Sequence, residues 1–176
     1  AGVAGAMTGL NQVTNGGAHE AGHLLSVTLT DTEITDVQLA DLDSRTAGTV
    51  TINPSTTTLK GDFNAPTNLD NSFASTGIVG LSSINVTSNT AGGSNTVDEV
   101  NNISGKTTGV VTATISNTAI ADLKGLTDSG NALTITVNSA SVNAADINVL
   151  NGKTTVALNV ASGTITCLLY TSDAAD

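Results

Sequence analysis

Three six-residue segments superpose without a gap: 41–46 (DLDSRT), 102–107 (NISGKT) and 149–154 (VLNGKT). The first two lie 61 residues apart and the last two 47. Self-similarity at such spacing marks stacked repeats, in which a unit too small to bury its own apolar face buries it against its neighbours. Between the later copies, 120–125 (IADLKG) matches 147–152 (INVLNG). The 47-residue period therefore divides into half-units of roughly 20 to 27 residues, a basic unit of about 23.

Each unit opens on an alternating stretch: 27–30 (VTLT), 49–52 (TVTI), 111–115 (VTATI) and 133–137 (LTITV). A period of two places Val, Leu, Ile and Ala on one face and Thr on the other, which predicts half-buried strands. A helix start follows, with a capping residue and a polar partner three positions on: Thr35 with Gln38, Thr96 with Glu99, Asn143 with Asp146. Apolar pairs at i, i+3 then share one helical face: Leu39/Leu42, Val100/Ile103, Ile120/Leu123 and Ile147/Leu150. Gly105, Gly125 and Gly152 stand two residues beyond, where positive φ commonly ends a helix. Such helices span at most about two turns and must dock on the sheet to persist. The stretch 62–83 breaks the spacing and predicts a longer helix, capped at Thr67 with Asp70, and a loop through Gly77 and Gly80.

The expected fold is an α/β solenoid of stacked strand–short-helix units forming a parallel β-sheet, with an all-β parallel solenoid as the alternative. Residues 1–26 form an irregular part of a truncated repeat and 27–166 the solenoid. Residues 167–176 (CLLYTSDAAD) hold the only Cys and the only Tyr and abandon the pattern. That tail resembles the in-frame translation of a transposase adapter from sequencing libraries, so it is set aside from fold reasoning. A first residue that is not Met, with no basic-then-apolar leader, suggests an internal fragment.

Composition narrows the function. A 39% hydrophobic content argues against disorder, while 2% aromatics is too little for an ordinary core. A net charge of −10 with five basic residues leaves nothing to neutralise phosphates, and no apolar run is long enough to span a membrane. The expected partners are neighbouring repeats of the same parent chain, with no nucleic acid and no membrane insertion. One Cys excludes an intrachain disulfide framework. The basic residues fall in two columns, Arg45/Lys106/Lys153 and Lys60/Lys124, each expected just past a helix end, where a cation complements the dipole. Asp36, Asp98, Glu99 and Asp146 take the opposite ends.

Residues 105–108 and 152–155 both read GKTT, within an L-x-G-K-T-T consensus. On these motifs, 97–109 and 132–160 resemble repeats of very large secreted or cell-surface proteins of marine cyanobacteria and other marine bacteria. The resemblance covers most of 27–166. Some such proteins also carry haemolysin-type calcium-binding nonapeptides, but 92–98 (GGSNTVD) lacks the spaced Gly-x-Asp of that ligand set. The resemblance implies export, an extracellular or cell-surface location and a structural role without catalysis.

Other chemistry remains to be weighed. His19, Glu20 and His23 complete an H-E-x-x-H motif, which on a helix binds zinc through both histidines and uses the Glu as general base. Gly16, Gly17 and Gly22 disfavour that helix, and any third ligand would come from Asp31, Glu33 or Asp36. A zinc metallopeptidase fragment is thus the alternative function. Asp31, Glu33, Asp36, Asp41 and Asp43 form an acidic cluster without EF-hand spacing. No cofactor is expected, and calcium, if bound there, would act as a stiffener. Thr28/Thr30, Thr49/Thr51, Thr112/Thr114 and Thr134/Thr136 resemble the Thr rows of ice-binding solenoids, although Thr also suits the wet face of any sheet. A calcium-dependent adhesive or ice-binding module is the further alternative. Asn85 and Asn102 head glycosylation sequons.

Overall fold

The computed structural model describes residues 2–5, 14–15, 18–19, 24–55, 57–63, 68–91 and 93–167. Strands and helices alternate along them. A short antiparallel pair, β1 (Thr14–Asn15) with β2 (Ala18–His19), precedes the repeating part. There follow β3 (Val27–Thr28), β4 (Glu33–Thr35), α1 (Asp36–Arg45), β5 (Val50–Thr51), β6 (Thr58–Gly61), α2 (Asn68–Ala74), β7 (Ile78–Val79), β8 (Asn85–Ser88) and α3 (Val97–Ser104). The chain continues through β9 (Val111–Thr114), α4 (Ile120–Leu123), β10 (Ala132–Thr134), β11 (Thr136–Asn143), α5 (Ala144–Asn151) and β12 (Asn159–Thr166).

Among the described residues every strand pairing other than that of β1 with β2 is parallel. The strands make three parallel sheets where the sequence suggested one: β3-β5-β7, β4-β6-β8-β9-β10, and β11-β12. The chain bends between β3 and β4, and again between β5 and β6 and between β7 and β8, so each of these units lends one strand to each of two sheets. The helices exclude the all-β alternative. The step between paired residues varies from 20 (Ala113 to Leu133) to 28 (Val50 to Ile78). Unequal steps are absorbed in the connections while the apolar columns stay aligned: Ile34, Leu59, Val86 and Val111 register in successive strands, and all are buried.

The helix starts follow from local chemistry. Thr35 Oγ1 accepts from the Gln38 N–H at 3.2 Å while Gln38 Oε1 accepts from the Thr35 N–H at 3.0 Å. Thr96 and Glu99 make the same reciprocal pair at 3.3 and 2.7 Å. Asn143 caps α5 through Ala145 rather than Asp146, at 2.9 Å. Helix α4 has no side-chain cap of its own. Its Ile120 N–H donates to Ser139 Oγ of the following unit at 3.0 Å, as the Val97 N–H of α3 donates to Asn117 Oδ1 at 3.0 Å.

The helices face the core with Leu39, Leu42, Leu69, Val100, Ile103, Leu123 and Leu150, all buried, while Ile120 and Ile147 are half-buried against it. Buried Phe63 and half-buried Phe73 supply aromatic volume to this core.

Three local expectations are corrected. Gly105 and Gly152 have φ of −69° and −73°, and Gly125 is not among the positive-φ glycines. The chain leaves these helices through one more tight right-handed turn, with the Lys106 N–H on Ile103 O and the Lys153 N–H on Leu150 O. Lys60 lies within β6 rather than past a helix. Helix α2 has seven residues and is shorter than α1, and the expected loop through Gly77 and Gly80 contains β7, which extends the three-stranded sheet. The proposed cap Thr67 lies outside the described residues.

Candidate functional site

The H-E-x-x-H motif does not start on a helix. His19 belongs to β2, its backbone paired antiparallel with Thr14. Glu20 and His23 lie outside the described residues. Among the described residues no three His, Cys, Asp or Glu side chains are grouped to hold a metal ion.

The acidic cluster is dispersed among separate partners. Asp31 accepts from the Val3 N–H at 2.7 Å, and Glu33 Oε2 pairs with Lys60 Nζ at 2.8 Å across β4 and β6. Buried Asp36 accepts from the Val37 N–H at 2.8 Å. Asp41 holds Arg45 at 2.9 Å, and Asp43 accepts from Ser75 Oγ at 2.9 Å. Each of these carboxylates thus has a donor partner, from its own turn or from a distant segment.

The basic residues join units as well as helix ends. Lys106, just past α3, reaches back to Asp70 in the first turn of α2 at 3.0 Å, and Asn102 Nδ2 donates to the same carboxylate at 3.1 Å. Lys124, at the end of α4, reaches forward to Asp146 in the first turn of α5 at 2.8 Å. Lys153 Nζ donates to Thr127 O at 3.1 Å.

The Thr-x-Thr rows are outward-facing as expected but do not form one array. Thr28 and Thr51 belong to the three-stranded sheet, Thr112, Thr114 and Thr134 to the five-stranded one, and Thr136 to β11. Within the five-stranded sheet the column Thr35, Lys60, Thr87, Thr112, Ala132 is interrupted by a cation and a methyl group. Both sequon asparagines are engaged, Asn102 as above and Asn85 by accepting from the Val110 N–H at 2.9 Å.

The most regular side-chain chemistry lies where the repeat alignment ends. Thr46, Thr107 and Thr154 occupy the same position of the three superposed segments, and all are buried. Each hydroxyl donates to a main-chain carbonyl of the preceding unit: Thr46 to Leu25 at 2.6 Å, Thr107 to Ile84 at 2.7 Å, Thr154 to Leu133 at 2.7 Å. Each also accepts from the N–H two residues on, of Gly48 at 2.9 Å, Gly109 at 3.0 Å and Val156 at 3.1 Å. One hydroxyl thus ties its own turn and clips it to its neighbour. The half-unit match at 120–125 does not carry this clip: Thr127, its equivalent of Thr154, is exposed and bonded to Asn101, and buried Asn131 accepts from the Val111 N–H at 2.9 Å.

Beside that exception runs an open groove of about 800 Å³, walled by Ser82, Lys106, Thr108, Asp128, Ser129 and neighbouring backbone. Thr108 is bonded to Ser82, Lys106 to Asp70, and Asp128 to the Ser129 N–H, so these three side chains already have partners. No helix among the described residues is long and apolar enough to cross a membrane. No family model matches the chain, and neither a curated protein nor a solved structure matches it.

Proposed function

We propose that this chain is a non-catalytic structural segment of a large extracellular or cell-surface bacterial protein, built as an α/β solenoid whose task is to space, coat or adhere. The observation that carries this reading is the threonine clip. The same buried hydroxyl recurs at Thr46, Thr107 and Thr154 and is spent on holding one unit to the one before. Cross-unit ion pairs use the charged side chains in the same way. Chemistry committed to stacking supports a role in giving length and surface, and a net charge of −10 keeps such a rod soluble. The export and marine bacterial origin rest on the GKTT resemblance.

Sequencing the parent gene across both flanks of this segment tests the proposal. Further units of the same kind together with an export signal are the expected result. A compact upstream domain that completes a metal site with His19 and His23 would overturn it in favour of the zinc peptidase. Zinc analysis of the purified chain gives a second readout: stoichiometric zinc lost in His19→Ala, with chelator-sensitive peptide cleavage, would count against a structural role.

A further inference from the structure

We propose that the peptide bond between Lys124 and Gly125 is a processing site, where a protease specific for basic residues nicks the folded chain and leaves its two parts joined. Such a protease has five places to act: Arg45, Lys60, Lys106, Lys124 and Lys153. At four of them the residue that follows is buried, as Thr46, Gly61, Thr107 and Thr154 are. At Lys124 both sides of the bond, Lys124 and Gly125, are exposed.

The contrast has a structural cause. Arg45, Lys106 and Lys153 each stand directly before a clip threonine, so the bond open to hydrolysis is one that Thr46, Thr107 or Thr154 locks to the preceding unit. Lys60 lies in β6, paired with β4 on one side and β8 on the other. Lys124 has neither protection, because its unit carries Thr127 exposed and bonded to Asn101 in place of the clip.

A protease takes its substrate extended, so a native chain is cut where a segment opens with the least loss of structure. Opening 116–130 uncovers two buried residues, Leu123 and Leu126. Helix α4 is a single turn of four residues without a side-chain cap of its own. The side-chain bonds on either side of the scissile amide, Lys124 Nζ to Asp146 and Asn101 Nδ2 to Gly125 O, both at 2.8 Å, are exposed and hold little. Opening a like stretch around Lys106 would uncover Val100, Ile103 and Val111 and break the Thr107 clip.

Hydrolysis adds water across the amide and leaves a carboxylate on Lys124 and an amine on Gly125. The two parts stay together because β10 remains paired with β9, the Val111 N–H remains on buried Asn131 Oδ1, and the Asn138 N–H remains on Thr118 O.

Limited trypsin digestion of the full chain, read by intact-mass spectrometry, tests this. The expected result is a first cut after Lys124, about tenfold or more faster than at the other four sites, with the fragments eluting together in gel filtration. The unfolded chain should be cut at all five sites alike, since the selection lies in the fold. Thr107→Val should open a second site at Lys106 by removing its clip, and Thr108→Val should not. The wild-type pattern decides the matter if Thr107→Val fails to fold. A first cut at another basic residue, a resistant Lys124, fragments that part under native conditions, the same preference in the unfolded chain, or a Lys106 still protected in folded Thr107→Val would overturn the proposal.

Discussion

Thr107 shows how much one hydroxyl holds. Its donation to Ile84 O is buried and its acceptance from the Gly109 N–H is half-buried. Thr107→Val keeps the volume and leaves two backbone groups without partners, so it should cost about 1–3 kcal/mol in denaturant unfolding. Thr108→Val, at the exposed neighbour, should stay within about 0.5 kcal/mol. Equal losses at both positions would show that the clip contributes nothing special. Gly109 has a related constraint: a Cβ there would lie 2.1 Å from Ile84 O, so the backbone of one unit must move off the other. Gly109→Ala is expected to lower the melting temperature by several degrees, from a destabilisation of about 1–3 kcal/mol. This chemistry was half-visible in the sequence. The superposed segments showed that position 107 recurs as Thr, but a partner 23 residues back is set by the stacking step, which no local pattern encodes.

At the scale of elements, the capping boxes were legible because both partners sit within four residues of chain. Thr35/Gln38 and Thr96/Glu99 close as their spacing predicts. Thr96→Ala should destabilise by about 1 kcal/mol by losing a helix-end acceptor. Ser139→Ala should destabilise similarly even though Ser139 lies outside the helix it serves, since the α4 amide at Ile120 then has no side-chain partner. Chemical denaturation of the two variants checks this, and a neutral Ser139→Ala would mean that water replaces the hydroxyl without loss. What sequence could not show was the division into separate sheets. Alternation at 27–30 and 111–115 looks alike, yet the first stretch feeds the three-stranded sheet and the second the five-stranded one, because the bend between β3 and β4 has no equivalent before β9. The glycines after the helices misled for a similar reason: the sequence marks a stop, while the turn it stops with depends on where the next strand must begin. Of the H-E-x-x-H motif only His19 is among the described residues, in a strand whose partner is five residues away at Thr14.

For the whole molecule, the buried apolar residues form one continuous cluster from Val3 to Leu150, while the strands differ in how many neighbours support them. Among the described residues, strands β6, β8 and β9 have a neighbour on each side, whereas β3 and β12 have one. Amide hydrogen exchange should be slowest in the first group and fastest in the second, graded along the chain. Uniform protection would indicate a single cooperative unit in place of coupled ones. The borrowed caps give folding a direction in time. Val97 of α3 waits for Asn117, twenty residues on, and Ile120 of α4 waits for Ser139, nineteen residues on. A chain emerging from the ribosome amino end first exposes each of these helices before the side chain that finishes it. The folding front thus trails the newly made end by about one unit of chain, and a ribosome pausing just past α4 would hold that helix uncapped until synthesis resumed.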